Sequence, residues 1–170
     1  MAFSETMAAA RKRKGITQQD LSESIGYSRA SVAKFETGKR TLPKEALSTV
    51  TQQIDDPKFY FETWTETTGL VSIPYFDGEY IDRHPSSLVH LVKKESDEAL
   101  DALENICWSK PVKAYTNNER QDLTKSLLEV LDAAASMVNL VAAICKEHKI
   151  SMKELFLSWQ ISLRAKRYKS

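Results

Sequence analysis

The chain has 170 residues, 42% of them hydrophobic, with 24 Lys/Arg against 23 Asp/Glu and only five glycines and five prolines. That is enough apolar material for a packed core in one domain or a small domain with a helical partner, and it excludes a fold of many short, turn-linked strands. The lack of about 18 consecutive apolar residues, and an N-terminus whose charges follow its short apolar stretch, argue against a membrane span or a secretory signal.

The expected class is therefore all-α and the expected location cytoplasmic. Near-neutrality conceals a division of charge. Residues 1–50 hold nine Lys/Arg against five Asp/Glu, residues 51–110 five against twelve, and residues 111–170 ten against six. A basic first segment suits phosphate contact, and the acidic middle should face away from DNA.

Residues 4–14 predict a first helix with Met7 and Ala10 inward, closed by Gly15 as a left-handed cap. Thr17 opens a second helix, with Asp20 as an acidic capping-box partner, and Leu21 and Ile25 form its inward stripe until Gly26 ends it. Ser28 caps a third helix, on which Val32 and Phe35 face inward while Arg29, Ala30, Ser31 and Lys34 face out; Gly38 stops it. Pro43 suits the first turn of a fourth helix with Leu47, Val50 and Ile54 on its apolar side. Asp56-Pro57 starts a fifth, anchored by Phe59, Phe61 and Trp64 and ending near Gly69.

Periodicity is lost from Leu70 to Pro85, LVSIPYFDGEYIDRHP, which reads as a connector with room for a short extended or hairpin segment. Three more helices follow. Residues 86–107 place Leu88, Leu91, Val92, Ala99, Leu103 and Ile106 on one face, TNNE at 116–119 is a capping box opening a very long helix, and SMKE at 151–154 opens a last one. On the long helix Leu123, Leu127, Val130, Ala134, Met137, Val141, Ile144 and His148 alternate by four and three, a seam of coiled-coil spacing. Further apolar residues widen that seam over most of the circumference. Such a helix must be covered on several sides, so we expect self-association here.

The boundaries that follow are a DNA-binding domain over 1–68, a connector over 69–85 and a helical oligomerisation or partner-binding domain over 86–170. Cys107 and Cys145 sit in apolar helical patterns and read as buried free thiols. His84, His90 and His148 share no ligand spacing, so no metal is expected. The carboxylates of Glu95 to Glu104 read as a solvated face, and Trp64, Trp108 and Trp159 as core anchors. The basic end, Arg164, Lys166, Arg167 and Lys169, reads as complementing its own helix dipole, with added phosphate contacts as the alternative. Nothing assembles a nucleophile, base and oxyanion site, so neither catalysis nor a cofactor is expected.

A two-turn helix, a short turn containing Gly and a second helix with a Ser cap is the helix-turn-helix pattern. Residues 4–54 resemble the DNA-binding domain of lambda-type phage repressors and the related bacterial regulators often called the Xre or Cro/CI family. The resemblance rests on ITQQDLSESIGYSRASVAKFETGKRTLP taken whole, with Gln18, Leu21, Ile25, Gly26, Ser28, Val32, Phe35, Glu36 and Gly38 at matching spacing.

The resemblance implies that Arg29, Ala30 and Lys34 project into the major groove and read bases. It makes Gln18 a phosphate contact, and Ser28, Ser31, Lys39, Arg40 and Lys44 are candidates for others. Arg11 and Glu36 match a structural ion pair beneath the recognition helix. Many such repressors carry a β-rich, self-cleaving C-terminal domain; here the second half reads as helical, so induction by cleavage is not expected. The leading expectation is a repressor that binds operator DNA as a homodimer through its C-terminal helices. The alternative is a helical module that grips a phage or host protein partner, an antirepressor among them.

Overall fold

The computed structural model describes residues 3–69 and 71–169; Met1, Ala2, Leu70 and Ser170, which fall within the expected domains and connector, lie outside the described residues. The fold is all-helical: α1 (Phe3–Arg13), α2 (Gln18–Ile25), α3 (Arg29–Glu36), α4 (Lys44–Ile54), α5 (Pro57–Thr68), α6 (Pro85–Glu104), α7 (Asn117–Glu147) and α8 (Met152–Ala165), with a 3-10 turn at Val112–Ala114. Contacts gather into two compact units, one holding the chain up to Tyr75 and again from Ile144 onward, the other Phe76–Ala143. The last helix thus groups with the N-terminal helices, whereas the sequence-based boundaries place it with α6 and α7.

In the first unit, Met7 and Ala10 of α1, Leu21 of α2, Val32 and Phe35 of α3, Val50 and Ile54 of α4 and Phe59 of α5 form one core, each at most 2% exposed. The helices can close on it because their ends are satisfied locally. Thr17 accepts from Asp20 N and the Asp20 carboxylate accepts from Thr17 N (2.9 Å), a complete capping box. Asp56 caps α5 by accepting from Phe59 N at 2.9 Å. Its carboxylate also accepts from Arg13 Nε and Nη2 (3.0 and 2.6 Å), which ties the end of α1 to the start of α5 and raises the Arg13 pKa.

Asp55, in left-handed conformation at the α4–α5 corner, accepts from Tyr60 Oη at 3.0 Å and from the backbone N–H of Lys153 at 3.1 Å. The latter bond ties the start of α8 to the α4–α5 corner within this unit. Burial, with the negative charge of Asp55, holds the Tyr60 phenol well above its ordinary pKa.

In the second unit, Thr116 and Glu119 form the capping box of α7: Glu119 accepts from Thr116 N (2.7 Å) and Thr116 accepts from Glu119 N (3.3 Å). With Lys110 bonded to it first and Thr116 second, the Glu119 carboxyl is lowered to about 2. The residues that α7 buries are small or polar, Ser126, Ala133, Ala135, Ser136, Asn139, Ala142 and Cys145. Ser126 Oγ donates to Ala102 O of α6 (3.1 Å), and Asn139 Oδ1 accepts from Phe76 N (2.8 Å). Leu127 and Met137 of the expected seam are about half exposed, His148 is exposed, and the rest of it is partly buried.

Over an 18-residue window α7 reaches a mean hydropathy of 1.8, enough by composition to cross a membrane, with 28% of the window buried. The sequence shows no unbroken apolar run there because Glu129 and Asp132 interrupt it.

Four sequence-based readings are corrected. Cys145 is buried but Cys107 is exposed, beyond the end of α6, which stops at Glu104. Trp64, Trp108 and Trp159 are 41, 61 and 53% exposed, so none is a core anchor; Trp108 satisfies its indole N–H on Leu103 O (3.1 Å) from outside. The connector contains no strand among its described residues. Glu95 is not on a wholly solvated face, since its side chain is 15% exposed.

Candidate nucleic-acid interface

The recognition surface is built from α2, the turn after it and α3. Gly26 at φ 72° caps α2 in a conformation that side chains with a Cβ rarely adopt, and this sharp exit sets the angle at which α3 leaves. Ser28 then caps α3 by accepting from Ser31 N at 3.2 Å, with the two hydroxyls 3.0 Å apart. Val32 and Phe35 are drawn into the core, and Tyr27 packs edge-on against Phe35 at 5.4 Å. Gly38, at φ 69°, lets the chain pass α1 closely: a Cβ there would meet Ser4 Oγ at 3.3 Å.

The inner end of α3 is fixed by charge. Arg11 Nη2 donates to Glu36 Oε2 at 3.0 Å, Arg11 Nε donates to the other carboxylate oxygen, and Arg11 Nη1 donates to Ile16 O at 2.6 Å. Gln18 Nε2 adds a bond to Glu36 at 2.8 Å. Burial pushes the Glu36 carboxyl upward, but the hydrogen bonds from Arg11 and Gln18 outweigh it and hold the pKa below its ordinary value; the same carboxylate raises Arg11. Arg11 and Glu36 are buried and bonded to each other, so the pair orients α3 from beneath.

With its inner face held, α3 turns Arg29, Ala30 and Lys34 to solvent. At 100° per residue Ala33 and Thr37 fall on the same side. Neither drew notice in the sequence, where small residues give no chemical signal; Thr37 Oγ1 is occupied by Ala33 O at 2.8 Å. This exposed face is short, small in relief and basic at two points, which fits an α-helix entering the major groove.

The other expected contacts are placed less uniformly. Lys39 and Lys44 are exposed, but the Arg40 guanidinium lies over the Phe35 ring at 5.4 Å, and Ser28 and Ser31 bond to each other. Gln18 spends one amide N–H on Glu36, leaving a second N–H and the carbonyl. An open concavity of about 760 Å³ lies between the end of α1, with Arg11 and Lys12, the start of α2, with Gln18 and Gln19, and Arg29. Lys12 is exposed there, beside the N-terminus of α2 and its positive dipole end. The sequence reading missed it because a basic run at the end of α1, Arg11 to Lys14, does not say which member points where. The structure spends Arg11 on Glu36 and Arg13 on Asp56.

This geometry is that of a helix-turn-helix domain. Residues 7–52, a little over a quarter of the chain, match the family model described as helix-turn-helix. The match supports a DNA-binding regulator in general terms. No curated protein and no solved structure matches the chain significantly.

Proposed function

We propose that this protein is a sequence-specific transcription regulator, a repressor of the kind carried by phages, prophages or other mobile elements, that binds operator DNA as a homodimer in the cytoplasm. The observation that carries the reading is the outward face of α3, with Arg29, Ala30 and Lys34 exposed on a helix locked from below by Glu36. Arg29 sets two donors against guanine O6 and N7, Lys34 donates to neighbouring acceptors, and the Ala30 methyl meets a thymine methyl. Gln18, Ser28, Ser31, Lys39, Arg40 and Lys44 fix the register on phosphates, with Lys12 added to them. Residues 1–50 have an excess of only four basic residues, so one copy binds weakly and two copies on one duplex supply useful affinity. Binding occludes a promoter by mass action.

The test is selection from random duplexes by the full chain at stated salt, where one enriched motif containing G in each half-site is expected. On that motif Arg29→Ala should cost about 1–3 kcal/mol while affinity for random DNA stays the same. An equal loss on both would move Arg29 to the phosphate contacts. Lys12→Ala should leave the motif intact and lower the slope of log affinity against log salt by about one; an unchanged slope removes Lys12 from the interface.

A second reading is favoured by the half-exposed Leu127, Leu128 and Leu131 on α7. An apolar ridge of that kind suits a helical module gripping a protein partner, an antirepressor among them. A chain that enriches no motif would favour it.

A further inference from the structure

Two apolar ridges on the C-terminal helices face solvent, and the charges beside them are opposite. On α7, Leu127, Leu128 and Leu131 are 50, 55 and 56% exposed. At 100° per residue they share an arc of about 100°, with Asp132 and then Glu129 following at its edge. The carboxylates of Glu129, Asp132 and Glu95 lie within 4.8 Å of one another. Lys94 pairs with Glu95 at 3.1 Å, while neither Glu129 nor Asp132 has an ion-pair partner among the described residues. On α8, Leu157 and Ile161 are one turn apart and 48 and 67% exposed, and Arg164 continues the same face, also exposed.

The opposition extends beyond these residues. The unit holding the leucine ridge, residues 76–143, has seven Lys/Arg against twelve Asp/Glu, and the chain from Ile144 onward has seven against two. A symmetric pairing of two α7 ridges would conflict with this pattern. Run parallel, it sets Glu129 and Asp132 beside their own copies; run antiparallel about the ridge centre, it sets Glu129 of one copy against Asp132 of the other. Like charges at such range in a partly dried interface repel. A basic apolar helix laid on the ridge removes the conflict.

We propose that α8 of one copy lies on the leucine ridge of α7 in a second copy, Leu157 and Ile161 covering Leu128 and Leu131, and Arg164 meeting Glu129 and Asp132. Two-fold symmetry repeats the contact, so each copy gives one helix and receives one. The proposal rests on the homodimer of the preceding section and specifies its interface.

The experiment is light scattering of the full-length chain across a concentration series, for the wild type, Asp132→Arg, Arg164→Asp and the combination, with helicity checked by circular dichroism. Each single reversal should raise the dimer dissociation constant at least tenfold, and the combination should return it to near the wild-type value. A dimer indifferent to both reversals, or a combination no better than the singles, overturns the α8-on-α7 contact while leaving the homodimer standing. A wild type that stays monomeric at every concentration overturns the homodimer itself. Dimerisation only on adding manganese, or binding of the monomer to anionic phospholipid vesicles in its place, would overturn the proposal by assigning the carboxylates to a metal or α8 to a lipid surface.

Discussion

Replacing Glu36 by Ala should lower the opening free energy of the N-terminal helices by about 3–5 kcal/mol, read by hydrogen exchange at the amides of Leu21, Val32 and Phe35 in the full-length chain. The side chains of Arg11 and Glu36 are 9 and 5% exposed, and the carboxylate receives bonds from Arg11 and Gln18. Removing it leaves a guanidinium buried without its partner, and that uncompensated charge accounts for most of the loss. Replacing both residues, Arg11→Met with Glu36→Leu, should therefore cost less than either single change. A loss below about 1 kcal/mol for Glu36→Ala, or a double variant as damaged as the sum of the singles, would deny the pair this role.

The same pair sets a pH dependence. Because the folded pKa of Glu36 lies below its unfolded value of about 4.3, its contribution is fully present above that pH and disappears as pH falls through the lower, folded value. Glu36→Gln should remove this component of the acid transition. Binding should follow stability here, since without Glu36 nothing charged fixes the inner end of α3.

The N-terminal fold was legible because its instructions are local. Thr17 with Asp20, Gly26, Ser28 and Asp56 each act within four residues, and the helices between them carry apolar residues three and four apart. What stayed hidden depends on chain direction in space. That Gln18 bonds Glu36, or that Arg13 leaves the basic run to pair with Asp56, follows only once α1, α3 and α5 are set against one another.

The C-terminal helices show the opposite case. Reading α7 by hydrophobic period gives weight to its leucines, yet Ser136 is fully buried and Asn139 is 3% exposed while Leu128 is 55% exposed. Short side chains let neighbouring backbone approach, as the bonds from Ser126 to Ala102 and from Phe76 to Asn139 record. A helix apolar on most sides leaves its period silent about which side wins. The leucines left over carry the question of partners, and no periodicity could have answered it.

Phe59→Ala should be the most damaging apolar change to the reading head, although Phe59 lies outside the segment that matches the helix-turn-helix family. Its ring is 0% exposed, stacks on Phe3 of α1 at 5.5 Å and joins the core that holds Val32 and Phe35 of α3. Truncating such a ring costs about 3–5 kcal/mol, the lost transfer energy plus the cavity that remains. The effect should reach α3 through α1, because Phe3 and Met7 pack on the same core and α1 carries Arg11. Exchange at Val32 and Phe35 should therefore accelerate together with exchange in α5, and operator affinity should fall at temperatures where the wild type is saturated. Trp64→Ala, five residues further along α5 and 41% exposed, serves as the control and should change stability by no more than about 0.5 kcal/mol. If Phe59→Ala loosens α5 while leaving protection in α3 untouched, α5 is an appendage and the DNA-reading unit ends with α4.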